Sequence, residues 1–85
     1  MKTFDYVITD PEGIHARPAG LLVKEAAGFK STITLEKGGK KADAKRIFAV
    51  MGLTAKKGET LHVTVEGEDE ENAAQSMEAF FKNNL

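Results

Sequence analysis

The reading of the fold turns on Thr3-Phe4-Asp5-Tyr6-Val7-Ile8-Thr9-Asp10-Pro11-Glu12-Gly13-Ile14-His15-Ala16-Arg17-Pro18-Ala19, because the hydrophobic period changes along it. Phe4, Tyr6 and Ile8 alternate with Thr3, Asp5, Val7 and Thr9, the alternation of a half-buried strand. Asp10-Pro11-Glu12-Gly13 breaks that pattern. From Ala16 to Ala27 the apolar residues Ala19, Leu22, Val23 and Ala26 fall at helical spacing, and Gly28 supplies a stop. Pro18 lies in the first turn, where a missing backbone donor costs nothing. A strand therefore delivers the start of a helix beside His15.

Outward from this unit, Ile33 and Leu35 alternate with Thr32 and Thr34 in a second strand, and Gly38-Gly39 marks a hairpin into a third, running from Lys40 to about Ala44. Lys40-Lys41 suits an edge strand, where lysine discourages pairing with other chains. Arg46 to Leu53 reads as a short helix with Ile47, Val50 and Met51 as its stripe. Leu61, Val63 and Val65 alternate with His62 and Thr64 in a fourth strand that Gly67 ends. A last helix is expected from about Asp69 to Asn83, with Asp69, Glu70 and Glu71 at the positive end of its dipole and Ala73, Met77 and Phe80 on its buried face. The order β-α-β-β-α-β-α predicts an α+β fold in which one antiparallel sheet is covered on one face by three helices.

The length of 85 residues predicts one domain over residues 1–85. Twelve Lys+Arg against thirteen Asp+Glu give a net charge of −1, so no global field would gather nucleic acid. There is no cysteine, which excludes disulfides, thiol nucleophiles and cysteine zinc sites. No metal site or cofactor is expected. Residues 1–5 lack the apolar run of a signal peptide and no segment suits a membrane span, so a cytoplasmic location without membrane insertion is expected.

Chemistry concentrates in one place. Gly13-Ile14-His15-Ala16-Arg17-Pro18 sets an imidazole at the start of a helix, whose unpaired N–H groups and dipole favour an anion. Neutral histidine keeps a ring nitrogen free for attack on phosphorus. Arg17 adds a cation whose fork matches phosphate oxygens. His15 and Arg17 are thus the candidate reacting residues, and Ala16, Arg17 and Pro18 the expected phosphate-binding turn. His15 acting only as a helix cap is the competing account. His62, on the polar face of its strand, has no such company.

If Ala19, Leu22, Val23 and Ala26 face the core, then at about 3.6 residues per turn Arg17, Gly20, Leu21 and Lys24 share the opposite side. Phe48 lies off the stripe of the second helix. It either wraps into the core from the side or joins Leu21 and Ile47 in an apolar docking patch near His15, with Arg17, Lys24, Lys45 and Arg46 as a cationic surround.

Gly13-Ile14-His15-Ala16-Arg17-Pro18-Ala19 resembles the active-site motif of the histidine-containing phosphocarrier proteins of the bacterial phosphotransferase system. Lys45-Arg46-Ile47-Phe48-Ala49-Val50-Met51-Gly52-Leu53 is similar to that family's second signature. The resemblance covers nearly the whole chain. It implies an open-faced β-sandwich with sheet order 1-4-2-3. It also implies phosphorylation of His15 on its pros nitrogen by enzyme I, with phosphoenolpyruvate as the source, and onward transfer to enzyme IIA domains by a monomeric carrier that is itself no enzyme. Gly20, Leu21, Lys24, Lys45, Arg46, Ile47, Phe48 and Met51 are the partner-binding positions it implies. One departure stands out: Arg46 occupies the place of the regulatory serine of many Gram-positive members, and arginine has no hydroxyl to phosphorylate. A regulatory module that docks without carrying phosphate is the alternative, and retention of both His15 and Arg17 speaks for the carrier. A self-contained enzyme would need a second catalytic cluster near His15, and the sequence offers none.

Overall fold

The computed structural model describes residues 1–85. Its elements are β1 (Lys2–Val7), α1 (Ala16–Ala27), β2 (Thr32–Lys37), β3 (Lys40–Asp43), α2 (Ile47–Gly52), β4 (Thr60–Glu66) and α3 (Glu70–Asn84). All seven expected elements form. The four strands make one antiparallel sheet of order β1-β4-β2-β3, the order of the open-faced sandwich. Every strand alternates, so the register decides which side chains share a face. Phe4 lies opposite Val63 and Tyr6 opposite Leu61, while Ile33 faces Val65 and Leu35 faces both Val63 and Ala42. These residues put one apolar face under the helices. On the other face Asp5 lies opposite His62, with Oδ1 2.6 Å from Nδ1, an exposed pair that agrees with the ordinary sheet role expected of this histidine.

The core is a cluster of 19 buried residues in which β4 supplies Leu61, Val63 and Val65, and α1 supplies Ala19, Leu22 and Ala26. The last helix differs from expectation. Its buried face is Ala73, Met77 and Phe81, whereas Phe80 is only partly buried. Both aromatic positions fit helical spacing from Ala73, and the partners across the interface choose between them. The Phe81 ring meets Phe4, Tyr6 and Phe80 edge-on, with centroids 5.8, 5.5 and 6.3 Å away. Such T-shaped contacts add to the burial itself.

Smaller differences have local causes. Arg46 and Asp69 are helix N-caps instead of first helical residues. Gly28 ends α1 in the right-handed region, φ −75° and ψ −7°, so it serves as a stop without the left-handed turn that glycine alone makes cheaply. The Gly38-Gly39 hairpin does use that freedom, with φ of 54° and 88° at the two residues. Ser31 immediately precedes β2 and is buried. The Asp69 carboxylate accepts hydrogen bonds from the Ser31 hydroxyl, the Lys30 N–H at 2.9 Å and the Ser31 N–H at 3.0 Å, tying the α1–β2 turn to the start of α3.

The two phenylalanines Phe81 and Phe48 occupy opposite extremes, one fully buried and the other 85% exposed. Phe81→Ala is expected to destabilise the fold by about 3–5 kcal/mol, and Phe48→Ala by less than about 0.5 kcal/mol. Urea unfolding of the two variants checks this difference. The Asp69 clamp makes a second prediction. Hydrogen bonds from the Ser31 hydroxyl, then from the Lys30 and Ser31 N–H groups, hold the Asp69 carboxyl below the usual aspartate range against an opposing effect of burial. A depressed carboxyl stabilises the fold above its unfolded value, and that stabilisation disappears as pH falls through the folded one. Asp69→Asn is therefore expected to lower the urea midpoint by a constant amount above about pH 4, with the gap closing at lower pH. A gap that persists unchanged into acid would contradict the clamp.

Candidate functional site

The loop between β1 and α1 is held at successive backbone groups. The Glu12 N–H donates to Asp10 Oδ1 at 2.8 Å, the Gly13 N–H to the Asp10 carbonyl at 2.9 Å, and the Ile14 N–H to the Ala55 carbonyl at 2.9 Å. Gly13 has φ +68°, and a Cβ on it would stand 2.3 Å from the Ala55 carbonyl oxygen. No other residue fits there. Ile14, which follows, is buried in the core. The loop consequently leaves His15 at the N-cap of α1 in extended backbone, φ −102° and ψ −174°, with its carbonyl accepting from the Ala19 N–H at 3.0 Å.

The His15 side chain makes no capping hydrogen bond, so the ring is not consumed by the cap. It is about a third exposed, and its Nε2 lies 3.3 Å from Oε2 of Glu12. In the sequence Glu12 stands only as part of the turn Asp10-Pro11-Glu12-Gly13. A carboxylate three residues before the histidine, across a tight turn, is the signal that marks it. Ala16 and Arg17 follow, both exposed, at the end of α1 where N–H groups lack intrahelical partners. Pro18 differs from the expected phosphate-binding role: it is buried and has no N–H, so its contribution is to stiffen the turn.

The structure also divides the expected docking residues. Leu21 is 45% exposed and Ile47 36% exposed, and with Phe48 they are three of the five exposed large hydrophobic residues. Phe48 does not wrap into the core. Gly20 places α1 against α2, since a Cβ there would come within 3.9 Å of Ile47 Cδ1. That contact lies five residues from His15, roughly 7.5 Å along the helix axis at about 1.5 Å per residue. Met51 is half-buried and packs on the core. Lys24 is exposed, and Arg46 is exposed with its Nε 3.8 Å from Asp43 Oδ2. Lys45 is engaged elsewhere: its ammonium donates to the Phe29 carbonyl at 2.8 Å, just beyond the C-terminal end of α1 and therefore at the opposite end from His15.

Against this geometry, the family model described as "PTS HPr component phosphorylation site" matches residues 2–83. The phosphocarrier protein HPr of Lysinibacillus sphaericus is 46% identical over 77 residues, covering 91% of this chain and 88% of that protein. The chain belongs to the HPr phosphocarrier family. Among solved HPr structures, that of Thermoanaerobacter tengcongensis superposes with a TM-score of 0.94 at 37% identity, covering 99% of this chain and 94% of its own. Crh of Bacillus subtilis, a catabolite-repression protein that forms a domain-swapped dimer, shares the fold with a TM-score of 0.79 at 39% identity, covering 88% of this chain and 86% of its own. The expected open-faced sandwich is thus the fold of HPr proteins. No helix is long and apolar enough to cross a membrane.

Proposed function

We propose that this chain is a phosphoryl carrier of the sugar phosphotransferase system, taking a phosphoryl group from enzyme I onto His15 and giving it to enzyme IIA domains. The observation that carries this reading is an imidazole at the N-cap of the twelve-residue helix α1 that forms no cap of its own. Phosphoryl oxygens attached to that ring would meet the free N–H groups of Ala16 and Arg17 and the positive end of the helix dipole. The Arg17 guanidinium, exposed two residues on, supplies a fork of donors for the same oxygens. The chain acts as one HPr domain and as a monomer, and the catalysis of each transfer belongs to its partners.

Leu21, Ile47 and Phe48, with Gly20 and Met51 beside them, form the partner-docking face. Arg17, Lys24 and Arg46 are the cations that ring it, and Lys45 extends the charge toward the far end of α1. A carrier must leave each partner quickly, so a small apolar centre with a charged rim suits its work. The likeness to Crh favours a second reading, a regulatory module that docks through this face without carrying phosphate. Phosphoryl acceptance separates the two.

On incubation with phosphoenolpyruvate and enzyme I, the parent is expected to gain one acid-labile phosphoryl group by intact-mass measurement, and His15→Ala to gain none while keeping its fold. Arg17→Lys keeps the charge but loses the planar fork, so slower single-turnover transfer is expected. An acid-stable adduct, or labelled His15→Ala, excludes His15 as the acceptor. Phe48→Ala is expected to weaken binding to enzyme I by roughly 1–3 kcal/mol, as for an interface anchor. Titration calorimetry on the folded variant measures this, and unchanged affinity would remove Phe48 from the docking face.

A further inference from the structure

We propose that Glu12 is a positioning residue for the reacting imidazole: its carboxylate sets an oxygen beside Nε2 of His15 and so favours the proton on that nitrogen, the tautomer that leaves Nδ1 as the nucleophile. The inference rests on the reading of His15 as phosphoryl acceptor and adds what selects the reacting nitrogen. Glu12 Oε2 lies 3.3 Å from His15 Nε2. An ionised carboxylate presents only lone pairs, so an oxygen this close to Nε2 favours a proton on that nitrogen over a second lone pair facing it. In a neutral ring the lone pair then belongs to Nδ1.

Glu12 does not reach the ring by chance of a loose loop. Its own N–H is bound by Asp10 Oδ1, and the N–H groups of Gly13 and Ile14 are bound in turn by the Asp10 and Ala55 carbonyls. Both side chains therefore project from a turn whose backbone is held between them. The division of the two nitrogens also suits the helix. Nδ1 is bonded to Cγ and is separated from the His15 backbone by fewer bonds than Nε2.

In the transfer step the Nδ1 lone pair forms the new bond to phosphorus, and the bond from phosphorus to the donor breaks with its electron pair leaving on the donor. Nδ1 carries no proton to shed. The proton on Nε2 stays where it is, and the positive charge the ring acquires lies against the Glu12 carboxylate. With the proton on Nδ1 instead, the nearer nitrogen would have no lone pair to offer.

The test compares the parent with Glu12→Ala and Glu12→Gln. ¹⁵N NMR of the His15 ring, at alkaline pH where imidazole is neutral, reports the tautomer without any phosphoryl transfer. In the parent, Nε2 is expected to resonate as a protonated nitrogen and Nδ1 as an unprotonated one. The two shifts are expected to approach each other in Glu12→Ala. Glu12→Gln keeps an acceptor oxygen without the charge and is expected to recover most of the parent pattern. Exposed charge pairs have small effects, so single-turnover acceptance from phosphorylated enzyme I is expected to slow about two- to five-fold in Glu12→Ala, with most of the rate restored in Glu12→Gln. Identical ring shifts in the parent and Glu12→Ala would overturn the proposal. So would faster acceptance in both variants, which would mean that Glu12 acts only by repelling the incoming phosphoryl group. Failure of the parent to accept any phosphoryl group would refute the carrier reading, and the ring shifts would still decide whether Glu12 sets the tautomer.

Discussion

The close approach of Gly13 to the Ala55 carbonyl governs the site. The segment after α2 carries that carbonyl, and it both excludes a Cβ at Gly13 and accepts the N–H of Ile14. With Ile14 drawn into the core, the chain has one route into α1, and His15 emerges at the N-cap with its ring outside. A looser join would let the imidazole turn in to cap the helix, and its nitrogens would then serve the backbone. Local conformational freedom at one glycine is thus converted into the placement of an imidazole.

The rest of the fold holds that join still. Ala55 itself is buried, and the Gly58 N–H donates to the Ile8 carbonyl at 2.8 Å, so the segment leading into β4 is laced to the end of β1. The sheet beneath buries one face only. Its helical layer therefore has an outer surface on which the apolar remainder of α1 and α2 must lie. Leu21, Ile47 and Phe48 stay exposed because α2 has six residues and a single fully buried side chain, Val50. A helix so short cannot hide two apolar flanks. Gly20 lets Ile47 approach α1 five residues beyond His15, so part of this exposed apolar surface lies in the half of α1 that begins at His15.

Much of this was legible in the residues. Period-two alternation and helical spacing act between near neighbours, so the seven elements and their order follow from residues read a few at a time. The exposure of Leu21 follows likewise from the angle it makes with Leu22 and Ala26 on one helix. The choice of Phe81 over Phe80 does not. Both fit the helical stripe, and what decides is the presence of the Phe4 and Tyr6 rings on β1, more than seventy residues earlier in the chain.

The sequence alone determined the family, the sheet and helices, and the chemical character of His15 and Arg17, since these depend on residue type and short spacing. Tertiary structure alone decided that Gly13 has no room for a side chain, that Phe48 lies outside the core, that Lys45 spends its charge on the Phe29 carbonyl, and that Glu12 reaches the ring of His15. All four depend on where other segments pack. Glu12 and His15 are close in sequence, but their contact depends on a turn whose shape is set from outside by Ala55. Distances between side chains exist only once distant segments have packed, and it is at those distances that a ring nitrogen is held or left free.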